Sequence, residues 1–72
     1  MQNYKNLGGK SSVVAYSIGN DYVEVQFATG KIYRYSYTSA GVVNVEEMKK
    51  LAIQGIGLNS YIMRYVRNAY ER

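Results

Sequence analysis

Arg64, Arg67 and Arg72 stand close together at the C-terminal end of the chain. Guanidinium groups grip phosphate oxygens through paired N–H donors, so closely spaced arginines point to a polyanionic partner. Lys10 follows Gly8-Gly9, Arg34 lies between Tyr33 and Tyr35, and Tyr22 opens a β-branched, alternating run. Together Arg64, Arg67, Arg72, Lys10, Arg34 and Tyr22 are the candidate nucleic-acid contacts: cations for phosphates, and one outward ring on which a base can stack. A solvated helix face also accounts for the arginines. An apolar core also accounts for most of the nine tyrosines.

Other chemistry lacks its parts. The chain has no histidine and no cysteine. A serine nucleophile therefore has no imidazole base, and the commonest metal ligands are missing. Asp21 falls in a turn, Glu24 faces Arg34, and Glu46 and Glu47 suit the first turn of a helix, so no carboxylate pair spans a site. Gly55-Ile56-Gly57 has neither the lysine of a phosphate loop nor a strand before it. Asn59-Ser60 reads as a helix cap rather than a ligand contact. Tyrosine, lysine and serine chemistry stays open in principle. The expectation is a protein that is not an enzyme, with no cofactor and no metal.

Seventy-two residues, 47% of them hydrophobic, suffice for one small core. The net charge of +4 sits at the two ends of the sequence. Lys5 and Lys10 lie at one end, and Arg64, Arg67 and Arg72 against Glu71 at the other. Between them four cations balance four carboxylates. No apolar run is long enough to span a membrane, and residues 1–12 do not resemble a signal peptide, so a cytoplasmic location is expected.

The elements that must position these residues follow from periodicity. Residues 1–11 read as a flexible lead-in, and 12–72 as a single domain. Val14, Tyr16 and Ile18 alternate, then Val23, Val25 and Phe27, then Tyr33, Tyr35 and Tyr37, which predicts three strands with these residues on one inner face. A three-residue loop 28–30 with Gly30 left-handed pairs Val25 with Tyr33 and Val23 with Tyr35, and sets Glu24 opposite Arg34 on the outer face. A two-residue loop would instead bring Arg34 beside Val25 and bury its charge.

Asn44-Val45-Glu46-Glu47 has the form of a capping box, with Val43 and Met48 placed as a hydrophobic staple. Val45, Met48, Leu51 and Ala52 form the buried stripe of this helix, and Gly55 its left-handed end. Asn59 or Ser60 caps a second helix running to about Tyr70. The expected fold class is α+β: a three-stranded antiparallel β-meander followed by two helices packed on one face, with the other face open.

Three stretches resemble the KTSC family of small bacterial and phage proteins: 11–41, 44–52 and 55–70. The most specific parts are V-x-F-x-x-G-x-x-Y-x-Y at 25–35 and G-L-N-S-Y-I at 57–62, followed by Arg67 and Tyr70. The family takes its name from a similar segment at the C-terminus of some lysyl-tRNA synthetases, which implies a link to RNA-associated proteins. It implies no catalytic residues. The functional expectation is a non-enzymatic binding module that takes nucleic acid, RNA in the first place, through a basic C-terminal helix. The alternative is a protein-interaction or homodimerisation domain using the open sheet face or an edge strand.

Overall fold

The computed structural model describes residues 1–71; Arg72, one of the candidate contacts, lies outside the described residues. The fold is α+β, with strands β1 (Gln2–Asn3), β2 (Val13–Ile18), β3 (Tyr22–Phe27) and β4 (Ile32–Ser36) in one antiparallel sheet of order β1-β2-β3-β4. The helices are α1 (Tyr37–Ala40), α2 (Val42–Gln54) and α3 (Leu58–Tyr61), and α3 runs directly into a π-helical stretch, Ile62–Val66.

The expected three-stranded sheet is thus four-stranded. The extra strand comes from the segment read as a lead-in: Gln2 pairs with Tyr16 and Asn3 with Ala15. Two residues are too few to show a period of two, so alternation carried no sign of β1. Tyr4, just after it, is buried in the core.

The β3–β4 hairpin follows the expected register. Val23 faces Tyr35, Val25 faces Tyr33 and Glu24 faces Arg34. The Phe27 N–H donates to the Lys31 carbonyl at 2.9 Å, and Gly30 has φ +94°. In β2, Tyr16 and Ile18 face Val25 and Val23 as expected, but a bulge between Val13 and Ala15 changes the parity beyond them. Val13 is therefore in the core and Val14 exposed, the reverse of the expected assignment. Two adjacent valines satisfy either parity, and an extra residue in one strand shifts it.

The core joins Val13, Val23, Val25 and Tyr35 of the sheet to Val45, Met48 and Ala52 of α2, and to Leu58, Ile62 and Val66. Each buried Val, Leu, Ile or Met side chain contributes about 1.5–3 kcal/mol by leaving water. The inner face is thus the one the helices cover, while Arg34 stays exposed on the other.

The helix starts differ from expectation. Capping occurs upstream: the Ser36 hydroxyl accepts the Ser39 N–H at 3.1 Å, and the Ser39 hydroxyl accepts the Ser36 N–H at 3.0 Å. This starts α1, and Gly41, at φ +92°, separates it from α2. Asn44 therefore lies inside α2 and is not its N-cap, and Val43, 82% exposed, forms no staple. The left-handed end at Gly55 is as expected. The second helical segment begins after Gly57 rather than at Asn59 or Ser60, and it ends at Val66, with Arg67 as its C-cap, rather than near Tyr70. Beyond it the chain turns back to the sheet, where the Glu71 N–H donates to the Arg34 carbonyl at 2.7 Å.

Candidate nucleic-acid interface

Arg67 stands at a cleft of about 470 Å³ between the β3–β4 loop and the C-terminal segment. Phe27, Tyr33, Tyr35, Tyr70 and Met63 supply its apolar lining, and Ser12, Thr29, Asn59 and Asn68 its polar groups. The three-residue hairpin loop holds Phe27 beside Tyr33, ring centroids 5.7 Å apart and nearly edge to face. Tyr70, returned to the sheet after the helix, stacks tilted on Tyr33 at 4.5 Å and meets Tyr35 edge to face at 6.2 Å. The four rings form one wall. Burial, then the neighbouring Tyr33 and Tyr70, pushes the Tyr35 hydroxyl up to about 12, so it stays a neutral donor at any physiological pH. No carboxylate lines the cleft among the described residues.

Arg64 lies elsewhere. It lines a groove of about 280 Å³ with Glu47, Ser60, Tyr61 and Tyr65. The Tyr61 and Tyr65 rings meet tilted, centroids 4.7 Å apart, and the Tyr61 hydroxyl donates to Asn44 Oδ1 at 2.7 Å. Tyr65 is 60% exposed. A π turn holds more residues than an α turn, so positions three apart rotate away from each other. The arginines of the expected ridge therefore serve two recesses rather than one. Arg64 and Arg67 are both exposed, and neither is in an ion pair among the described residues.

Lys10 is exposed and lines a third recess of about 230 Å³, together with Tyr4, Asn6 and Ser11. Asn59 also lines it, and so forms a wall shared with the Arg67 cleft. Arg34 and Tyr22 are brought together on the opposite face of the sheet. The Arg34 Nη2 and Nε both donate to Glu24 Oε2, at 2.9 and 3.1 Å, and the guanidinium lies 4.1 Å from the Tyr22 ring centroid. The hydrogen bond to Glu24 raises the Arg34 pKa further. Its donors are partly occupied and the Tyr22 ring is covered on one side, so this pair is a poorer contact than Arg67.

Sequence reasoning placed Phe27, Tyr33 and Tyr35 on the inner face but did not find the cleft they form. Local pattern put Phe27 and Tyr33 on one face; nothing in it brought Tyr70, Asn68 or Asn59 to them. No group of three or more acidic, cysteine or histidine side chains suited to a metal occurs among the described residues. No helix of the described residues is long and apolar enough to cross a membrane. Compared with known proteins, the chain matches no family model, no curated protein and no solved structure.

Proposed function

We propose that this domain is a non-enzymatic module that binds single-stranded nucleic acid, RNA in the first place, on the segment from Ser60 to Tyr70. One observation carries the reading: each exposed arginine without an ion-pair partner among the described residues shares a recess with aromatic rings. Arg67 does so with Phe27, Tyr33 and Tyr70, and Arg64 with Tyr61 and Tyr65. Rings that stack bases, beside cations that meet phosphates, are what unpaired strands require, because a base in a duplex offers no open face. The net charge of +4 favours the same partner. The resemblance to the KTSC family, with its implied RNA-associated relatives, points the same way.

The test is fluorescence anisotropy with a labelled mixed-sequence RNA, single-stranded and duplex. The single strand is expected to bind more tightly, with a log–log salt slope of about −0.7 per phosphate contacted. Arg64→Glu with Arg67→Glu is expected to abolish binding while the far-UV circular dichroism stays unchanged. No detectable binding at low ionic strength overturns the reading.

A second reading, a protein-interaction or homodimerisation surface, is favoured by the exposed Met1, Ile18 and Ile53, which line one recess beside β1. The edges themselves offer little to it: β1 is two residues long, and Glu71 already bonds to β4. Light scattering at high concentration decides self-association, for which a monomer counts against it.

A further inference from the structure

We infer that the cleft beside Arg67 is a pocket for one unpaired nucleobase, with the phosphate of the same nucleotide on the Arg67 guanidinium. The inference rests on the nucleic-acid reading and assigns the strand's base-reading contact to one place. The volume, about 470 Å³, is that of a site for a single small ligand. The wall of Phe27, Tyr33 and Tyr70 offers π surface to a flat ring. The amides of Asn59 and Asn68 and the hydroxyl of Thr29 supply donors and acceptors around that wall, the groups that read base edges. Among the described residues Arg67 is the sole formally charged side chain of the lining, which suits one phosphate and repels no anion.

The Arg64 groove also has rings beside its arginine but differs in charge and in free polar groups. Glu47 lines it, and the Tyr61 hydroxyl is already bonded to Asn44. That groove suits backbone and stacking contacts that do not distinguish bases.

The experiment is an NMR titration of the full chain with the four nucleoside monophosphates and with adenosine, followed on the aromatic and arginine Nε resonances. The monophosphates are expected to shift the Phe27, Tyr33 and Tyr70 ring signals. Removing the phosphate is expected to weaken binding roughly 10–100-fold, the worth of a hydrogen bond to a charged group. Arg67→Ala, an exposed change, is expected to erase the difference between adenosine and its monophosphate. Arg64→Ala is expected to weaken an oligonucleotide while leaving mononucleotide affinity unchanged. If the oligonucleotide binds and millimolar monophosphates leave the three rings unmoved, the pocket is wrong and the nucleic-acid reading survives. If monophosphates bind at the rings but oligonucleotides do not, the nucleic-acid reading fails, and the strand's base pocket, which rests on it, falls with it. If neither binds, both fall.

Discussion

The Tyr4 hydroxyl accepts the backbone N–H of Leu58 at 3.3 Å, across 54 residues of sequence. Leu58 opens α3, and the residue before it, Gly57, has no side chain to cap the first amides of the helix. Tyr4 therefore does at long range what a serine or asparagine does locally. A second tie, from the Leu7 N–H to the Gly55 carbonyl at 2.7 Å, holds the same junction. The N-terminal segment thereby sets where the segment bearing Arg64 and Arg67 starts.

Tyr4→Phe keeps the ring and removes the acceptor. It is expected to cost about 1–3 kcal/mol, because the buried Leu58 N–H is left unsatisfied. Tyr4→Ala is expected to cost about 3–5 kcal/mol through the cavity it leaves. Urea unfolding measures both, and equal midpoints for Tyr4→Phe and the parent would show that the bond contributes nothing.

Asn44 separates a capping role from the one observed. Its Nδ2 donates to the Ala40 carbonyl at 2.9 Å, while its Oδ1 accepts from the Tyr61 hydroxyl. A helix cap accepts aspartate readily. The observed role does not, since Asn44→Asp loses the donor and sets a carboxylate against a carbonyl. A loss of about 1–3 kcal/mol is expected; unchanged or raised thermal stability would restore the capping box.

The alkaline limb of stability is expected to carry a Tyr35 component. Its folded-state pKa, about 12, exceeds the usual tyrosine value of 10.0. The contribution is complete below the lower value. Between the two, the unfolded chain releases the phenolic proton and the folded one does not, so stability falls as pH rises. Tyr35→Phe is expected to flatten this part of the pH profile, measured by denaturant midpoints; a profile as steep as the parent's would remove Tyr35 as its cause.

Glu46 contributes on the acid side. Lys49, and then the Tyr37 hydroxyl, hold its carboxyl below the usual carboxylate range. Lys49 Nζ lies 2.8 Å from it, and Tyr37 donates to it at 2.6 Å. Lys49 also donates to the Asn20 carbonyl, tying α2 to the β2–β3 turn. The depressed carboxyl stabilises the fold above the ordinary range, and that contribution disappears as pH falls through the folded value. Glu46→Gln is expected to make stability less dependent on pH across this window, read by thermal melting in an acid series.

The β3–β4 hairpin was readable residue by residue because everything that specifies it is local. The alternation of Val23, Val25 and Phe27, the turn ending in Gly30, and the cost of burying Arg34 leave one register. The stripe Val45, Met48 and Ala52 was readable for the same reason, as was the left-handed end at Gly55.

Long-range closure followed a different logic. Either of two adjacent valines could face inward, and a bulge in β2 chose Val13. The capping box that forms, Ser36–Ser39, starts α1, and α2 starts at Val42 after Gly41 with no side-chain cap, so Asn44 falls inside its first turn. The π-helical stretch sent Arg64 and Arg67 to separate recesses, and the chain's return to β4 set Tyr70 on Tyr33. Periodicity tells which side of an element is apolar. It does not tell which distant side chain fills the remaining space, since that depends on packing volumes and unsatisfied backbone groups that exist only once the elements meet.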